Sequence, residues 1–351
     1  MIRTLYSVTV ITATDTMTTS EADMGKPRPI RALSLFSGGL DSQLAVRVLQ
    51  SQGIEITAVV FQSVFFSSEP AESTARRLDI PVIVEEFTPT IVALVRHPPH
   101  GFGAGLNPCI DCHIAMIHRA GQIMDERGGH FISTGEVLNQ RPMSQTRKSL
   151  ELIARESGYG DRLLRPLSAQ LLPETEPEKR GWVDRERLCA IEGRSRKTQV
   201  VLAMKLGITE YPQPAGGCRL TDPGFAKRLQ ELKVHEGLEN ADDITRLKIG
   251  RHFRVGRARL IVGRNQDENN VLESMARPAD ICLRPTTCPG PVGLLAGTVT
   301  EEEIRPAAMI CARYSDCPAA AMAGIEVQSR GDTMMLDVCP MSSAEVDALR
   351  I

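Results

Sequence analysis

The segment SGGLDS that begins at Ser37 has the residue types of a phosphate-binding loop. Its two glycines allow the backbone to turn tightly and to approach phosphate oxygens without a Cβ in the way, and its serines supply hydroxyl donors. Asp41 would repel bare phosphate, but its carboxylate suits a Mg²⁺ ion that bridges phosphates. The segment lacks the Gly-Lys-Ser/Thr ending of a Walker A loop. We predict that ATP contacts Ser37, Gly38, Gly39, Asp41 and Ser42.

The elements around this loop follow the order of a βαβ unit. The apolar run Arg31–Phe36 predicts a strand, and the apolar spacing after Leu44 predicts a helix that ends at Gly53. Strand and helix patterns then alternate through Ile54–Phe66, Ala71–Leu78, Val82–Val84, Cys112–Arg127 and His130–Ser133. This alternation predicts an α/β fold with a Rossmann-like parallel sheet, whose ligands bind at the carboxyl ends of the strands. Beyond Cys218 the pattern changes to short strands and turns, which predicts a smaller α+β domain.

Three cysteines have the setting of sulfur or metal chemistry. Cys109 and Cys112 have CxxC spacing at the entrance to a predicted helix, where the helix N-terminus favours thiolates. Cys218 follows a Gly-Gly turn that would allow close approach to a ligand. The three thiols could hold a 4Fe–4S cluster with one iron open to sulfide, or Cys112 and Cys218 could be a nucleophile and a resolving thiol that carry a persulfide. A structural zinc site, or a CxxC pair without a role, is the third alternative.

Two resemblances extend this interpretation. SGGLDS resembles the PP-loop of the adenine nucleotide α-hydrolase-like enzymes, which cleave ATP between its α- and β-phosphates and use AMP to activate a carbonyl oxygen. The segment Asn107–His113 resembles the Asn-Pro-x-x-x-Cys-Asn segment of tRNA-specific 2-thiouridylases. That resemblance implies that Cys112 is the nucleophile.

The segment Thr134–Thr146 resembles a Thr-Gly-Glu-x-x-Gly-Gln-x-x-Ser-Gln-Thr segment of the tRNA 4-thiouridine synthetases, the ThiI family, and Leu164–Leu167 matches a further segment. The resemblance implies that Gly135 and Gln140 lie beside the nucleotide. Asn139 stands where those enzymes usually have glycine.

The C-terminal part resembles a different family. The stretch from Phe253 to Asn270 is similar to the RNA-binding module called NFACT-R, through its strand and Gly-Arg-Asn pattern. Crowded basic residues in the same region predict salt-sensitive contact with RNA phosphates. They are Arg246, Lys248, Arg251, Arg254, Arg257, Arg259 and Arg264. His113 and His118 are interpreted as packing residues or RNA contacts.

Composition limits the class of protein. The net charge of −2 excludes a globally basic nucleic-acid binder, and we find no apolar stretch long enough to cross a membrane. Nine cysteines without an export signal predict reduced thiols in a cytoplasmic protein. We expect a disordered N-terminal extension at 1–29, a PP-loop ATPase and thiolase domain at 30–224, and an NFACT-R-like domain at 225–351.

Together these features predict an ATP-dependent, AMP-forming tRNA sulfurtransferase that adenylates a uridine carbonyl and replaces its oxygen with sulfur. The predicted partners are tRNA and a sulfur donor, either sulfide or the persulfide of a cysteine desulfurase, and a homodimer is left open. The alternative is a PP-loop enzyme that sulfurates or amidates a small molecule through an adenylate.

Overall fold

The structure, a computed structural model, describes residues 29–213, 218–297, 299–319, 321–329 and 331–351. Residues 1–28 of the predicted extension and the turn at 214–217 lie outside the described residues. The described residues of 1–94 and 108–216 form one compact unit, and those of 95–107 and 217–351 form a second. We call them the first unit and the second unit. No helix among the described residues combines the length and the apolar character needed to cross a membrane.

The first unit alternates strands and helices, as the sequence predicts. Its strands are β1 (Arg31–Leu35), β2 (Glu55–Gln62), β3 (Val82–Glu86), β4 (Phe131–Thr134) and β5 (Leu163–Leu164). Its helices are α1 (Leu40–Gln50), α2 (Glu69–Arg77), α3 (Thr88–Arg96, whose last two residues belong to the second unit), α4 (Cys109–Glu126), α5 (Arg147–Glu156), α6 (Glu176–Lys179) and α7 (Lys197–Lys205).

The sheet of the first unit has the strand order β3-β2-β1-β4-β5, and all four pairings are parallel. Leu35, at the end of β1, pairs with Val59 of β2 on one side and Thr134 of β4 on the other. The order therefore reverses at β1, and the crevice beyond the carboxyl ends of β1 and β4 is the topological switch point where such sheets bind ligands. The predicted Rossmann-like parallel sheet is confirmed.

Helix α1 holds the predicted loop against this sheet. Leu40, Leu44, Ala45 and Leu49 are at most 1% exposed, because successive positions separated by four, one and four residues lie on one helix face. They join a core that includes the inner side chains of β1 and β2. The start of α1 is thereby anchored next to the end of β1.

The second unit contains a separate antiparallel sheet of six strands, in the order β11-β10-β8-β9-β7-β6. The strands are β6 (Arg251–Val255), β7 (Ala258–Val262), β8 (Ile281–Pro285), β9 (Gly293–Ala296), β10 (Ala323–Ser329) and β11 (Asp332–Val338). The helices are α8 (Pro223–His235), α9 (Ala241–Arg246), α10 (Gln266–Ser274), α11 (Glu301–Arg313) and α12 (Ser343–Leu349). The apolar face of α11 packs on this sheet, which confirms the predicted α+β domain.

The cysteines of the second unit depart from one expectation. Cys288 and Cys317 are joined by a disulfide, with Cα atoms 5.6 Å apart, so the prediction that all thiols are reduced does not hold for this pair. The pair is 29 positions apart in the chain, a separation that carries no pairing signal. Cys282 and Cys311 are buried thiols in apolar surroundings.

Candidate active site

The turn after β1 has a backbone that only glycine adopts readily. Gly38 has a φ of +73°, in the left-handed region, and a Cβ at this position would lie 3.0 Å from the Cα of Ala71. Gly39 follows as the N-cap of α1 and makes no side-chain capping bond. The amide groups of the first turn of α1 therefore keep their capacity to bind an anion, assisted by the helix dipole.

The end of β4 lies directly against this turn. A Cβ on Gly135 would be 2.6 Å from the backbone nitrogen of Ser42 and 2.7 Å from the carbonyl carbon of Asp41, so no other residue fits there without moving backbone. Ser42 Oγ donates to the carbonyl of Gly39 at 2.9 Å, and Ser37 Oγ lies 3.5 Å from Ser42 Oγ. The structure thus brings the predicted loop and Gly135 together.

Asp41 is the carboxylate of the loop. Its Oδ2 accepts a hydrogen bond of 2.8 Å from Gln140 Nε2, and Gln140 Oε1 accepts one of 3.2 Å from Gln199. Burial raises the pKa of Asp41, while the bond from Gln140 and the charges of Arg196 and Arg141 oppose that rise. The structure thus places Gln140 against Asp41.

The other oxygen of Asp41 fits a cation. Asp41 Oδ1 is buried and has no hydrogen-bond partner among the described residues. A buried carboxylate oxygen that points into a phosphate loop is the kind of ligand that Mg²⁺ uses, so this residue fits the predicted ion.

The loop after β4 departs from the ThiI pattern at Asn139. The backbone conformation of this residue explains why the loop tolerates asparagine there. Its φ is +59°, in the left-handed region that glycine favours. Asparagine is the residue that most often replaces glycine in this conformation. The substitution therefore preserves the backbone path that brings Gln140 to Asp41.

A network of charged side chains surrounds Cys109, the first residue of α4. His113, one turn further along α4, donates from Nδ1 to Glu136 Oε1 at 2.8 Å. Glu136 Oε2 accepts from Arg165 Nε at 2.8 Å and from Thr134 Oγ1 at 3.1 Å. The Glu136 and Arg165 side chains are only 6% and 7% exposed, so this is a buried ion pair. The network joins α4, the end of β4 and the segment after β5.

The network sets the charge of its members. Burial disfavours the charged form of His113, but hydrogen bonds to Cys109 and Glu136 outweigh it and raise the pKa of His113 to about 9. Burial likewise opposes the charge of Glu136, but Arg165 and His113 lower its pKa to about 2. Burial also disfavours the thiolate of Cys109, yet the hydrogen bond and charge of His113 lower its thiol pKa. The arrangement places the Cys109 thiol beside an imidazolium that favours its thiolate form.

The sequence did not identify this network. His113 was interpreted as a packing residue or RNA contact, and Glu136 and Arg165 were not singled out. Glu136 directly follows Gly135 in the ThiI-like segment, and this position is the sequence feature that could have identified it as a site residue. Cys112, the predicted nucleophile, is buried and 9% exposed, whereas Cys109 is half-buried.

The three cysteines of the predicted cluster are divided between the two units. Cys109 and Cys112 belong to the first unit, and Cys218 belongs to the second. Across the described residues, no three His, Cys, Asp or Glu side chains form a group that could hold a metal ion. An iron–sulfur cluster therefore stays a prediction, and the mechanism proposed below does not use one.

Two of the predicted RNA-binding arginines, Arg246 and Arg259, are interior residues of the second unit, and a third, Arg254, is partly buried. Arg246 and Arg259 are 0% exposed. Arg246 pairs with Asp280 at 2.7 Å and Arg259 with Glu236 at 3.1 Å. Arg254 pairs with Glu236 and with Glu231. The prediction of contact with RNA phosphates is wrong for Arg246 and Arg259, because they are buried and a buried charge needs a partner, which carboxylates of the same unit supply.

Comparison with known families follows this division of the chain. Residues 30–170 match the family model described as thiamine biosynthesis protein (ThiI). Residues 250–350 match the family model described as NFACT protein RNA binding domain. The resemblances to the ThiI family and to the NFACT-R module are therefore confirmed. A search of curated proteins finds no match.

Among solved structures, three illustrate the range of similarity. A 4-thiouridine synthetase in complex with RNA and bound ATP is 19% identical, with a TM-score of 0.37 over 57% of this chain and 50% of its own. A predicted subunit of a tRNA methyltransferase from Methanocaldococcus jannaschii is 18% identical, with a TM-score of 0.31 over 39% of this chain and 67% of its own. The C-terminal part of a fibronectin/fibrinogen-binding protein from Streptococcus suis is 12% identical, with a TM-score of 0.27 over 69% of this chain and all of its own. At these TM-scores, function must be argued from the residues of this chain.

Proposed function

We propose that this protein is an ATP-dependent, AMP-forming tRNA sulfurtransferase. The observation that carries the proposal is the segment after β4, which serves both the phosphate loop and the thiol. Gly135 lies against the backbone of Ser42, and the next residue, Glu136, bonds the histidine that activates Cys109. The charge of Arg141, further along the same segment, acts on both Asp41 and Cys109. The proposed nucleotide site and the proposed reactive thiol of Cys109 are therefore both lined by the segment after β4.

The first half of the reaction is adenylation. A uridine carbonyl oxygen attacks the α-phosphate of ATP, pyrophosphate leaves, and the base becomes a better electrophile because its oxygen is now part of an AMP leaving group. The amides at the start of α1 stabilise negative charge on the phosphates. A Mg²⁺ ion, when bound at Asp41, would neutralise part of that charge.

The second half replaces oxygen with sulfur. The Cys109 thiolate attacks the terminal sulfur of a cysteine desulfurase persulfide and releases the desulfurase thiolate, so that Cys109 carries a persulfide. The terminal sulfur of this persulfide attacks the activated carbon and expels AMP together with the oxygen. A second thiol then attacks the Cys109 sulfur, which releases the thiocarbonyl base and leaves a disulfide for an external thiol to reduce. Cys112 and Cys218, the thiols named from the sequence, are the candidates for this second role, and the half-buried position beside His113 favours Cys109 for the first.

The test is to incubate the protein with ATP labelled at its α-phosphate, tRNA, a cysteine desulfurase and cysteine. We expect labelled AMP together with tRNA that is retarded in a mercury-containing gel. AMP formation with a small thiol acceptor and without RNA would favour the small-molecule alternative. If neither acceptor yields AMP, the proposal fails.

The variant Gly135→Ala sharpens the test. Its methyl group would meet the backbone of Ser42, so α1 or the loop must shift by about an ångström, a displacement that costs on the order of 100-fold in rate. Circular dichroism and thermal melting establish that the variant is folded. A folded variant with undiminished AMP formation would place the nucleotide elsewhere.

A further inference from the structure

The second unit carries a cluster of basic side chains around the loop at 247–250, which joins α9 to β6. Arg228 of α8 donates from Nε to the carbonyl of Leu247 at 3.0 Å. Arg264 donates from Nη2 to the carbonyl of Gly250 at 2.7 Å. Lys248 lies in the chain between these two carbonyls, so three cations from three segments meet at one short loop.

Arg219 extends this cluster. The guanidinium groups of Arg219 and Arg228 lie 5.9 and 6.0 Å from the centre of the Phe225 ring. Burial lowers the pKa of Lys248, and the charge of Arg219 lowers it further. Arg219 therefore lies close enough to act electrostatically on the loop. We call Arg219, Arg228, Lys248 and Arg264 the basic cluster.

The members of the basic cluster repel one another. Burial lowers the pKa of Arg228, and so do the charges of Arg264 and Arg219, while Asp222 offsets only part of this effect. Side chains that share a charge and lie close together destabilise the fold unless an anion neutralises them. The basic cluster therefore has the electrostatics of an anion site.

The contrast with the interior arginines supports this conclusion. Among the described residues, Arg219, Arg228 and Lys248 form no ion pair, and Arg264 has one contact of 3.6 Å with Glu268 while its side chain is 48% exposed. Arg254 and Arg259, by comparison, are both paired with carboxylates inside the unit. Carboxylates compensate the structural arginines of this unit, and the basic cluster is left for an external anion.

We propose that the basic cluster binds consecutive phosphates of an RNA backbone. One phosphate monoester carries only about −1.5 to −2 charges, so four cations on separate elements are matched by a polyanion rather than by a single phosphate. Only Arg264 lies within the residues 250–350 that match the RNA binding domain, so the site extends onto the segment before it. The inference rests on the proposed function in taking tRNA as the polyanion.

The experiment measures binding of the full chain to fluorescent tRNA by anisotropy over a range of salt concentrations. The variants are Lys248→Gln and the double variant Arg219→Gln/Lys248→Gln. The matched control is Arg284→Gln, which removes the same charge from a side chain that is already paired with Glu273 and Glu326. Each cluster substitution should weaken binding about tenfold and reduce the slope of log K against log salt by about 1, whereas the control should do neither.

The outcomes separate this proposal from the enzymatic one. Cluster-dependent tRNA binding without AMP formation supports the basic cluster and overturns the sulfurtransferase. AMP-forming thiolation with unchanged tRNA binding in folded cluster variants supports the enzyme and overturns the basic cluster. If the variants lose affinity for inorganic phosphate or for poly-glutamate but not for tRNA, the site belongs to another anion and the proposal is wrong.

Discussion

His113 in the first unit and His252 in the second differ in charge, although both are largely shielded from solvent. The His113 side chain is 27% exposed, and its bonds to Cys109 and Glu136 raise its pKa to about 9 against the effect of burial. His252 is 2% exposed, and burial together with the charge of Arg259 lowers its pKa to about 3. At neutral pH the first histidine is an imidazolium and the second is a neutral ring.

The difference shows that neighbouring anions can outweigh burial in setting the charge of a histidine, as at His113, whereas burial is the largest cause of the lowered pKa of His252. Glu136 is an anion beside His113, and the charge of the ring lowers the pKa of the Cys109 thiol. The Nε2 atom of His252 lies 2.8 Å from the carbonyl of Ile249, where a neutral ring can donate one bond to the backbone. The ring of His113 lies where its charge favours a thiolate, and the ring of His252 bonds the backbone next to the loop that carries the basic cluster.

Removal of the carboxylate beside His113 should cause the largest loss in the free energy of unfolding. Glu136→Ala would leave Arg165 buried without its anion, a loss that costs about 3–5 kcal/mol. Trp182, the only tryptophan, lies in the first unit, so urea denaturation followed by its fluorescence reports on that unit. The control is Glu126→Ala, since Glu126 is 62% exposed where it pairs with Arg119, and we expect a loss below about 1 kcal/mol. Equal losses in the two variants would contradict the role of the network.

Because His113 is charged in the folded protein, stability should decline as the pH becomes alkaline. Because its folded pKa, about 9, exceeds its ordinary value of 6.5, the stabilisation is complete below pH 6.5 and is lost as the pH rises through 9. Between pH 5 and pH 8 the first unit should lose about 2 kcal/mol more than a His113→Gln variant does. Parallel declines in the two proteins would show that His113 is neutral.

His252 should produce a decline on the acid side. Its folded pKa, about 3, lies below the ordinary value of 6.5, so the stability is complete above pH 6.5 and is lost as the pH falls toward 3. Hydrogen exchange of the amides of β6 should show a loss of about 1 kcal/mol between pH 8 and pH 6, compared with His252→Gln. An imidazole NMR signal of His252 that titrates above pH 6 would refute the assignment.

The smallest expected effect is on thiol reactivity. His113→Gln removes the charge that favours the Cys109 thiolate, so its alkylation by iodoacetamide at pH 7 should slow by about fivefold. Cys189, whose thiol pKa is raised by burial, is the internal control and should react slowly in both proteins. Mass spectrometry of the modified peptides measures the two rates separately. Unchanged alkylation of Cys109 would remove the basis for its role as sulfur carrier.

The sequence alone determined the local features of this protein. SGGLDS between a strand pattern and a helix pattern predicts a phosphate loop, because its glycines and the helix N-terminus are properties of consecutive residues. The alternation of strands and helices predicts a parallel sheet for a similar reason, and the structure confirms it. The two family resemblances were also present in short segments, and the family models confirm them. The site residues named from those segments stay predictions until they are tested.

Only the tertiary structure decided which distant side chains meet and what charge they carry. His113 and Glu136 are 23 positions apart, and Glu136 and Arg165 are 29 apart, so neither contact follows from spacing. The arginines of the second unit looked alike in the sequence, yet the fold buries Arg246 and Arg259 against carboxylates and leaves Arg219 exposed at the basic cluster. The physical reason is that a pKa and an ion pair depend on distance in space and on burial, which are set by packing rather than by chain order.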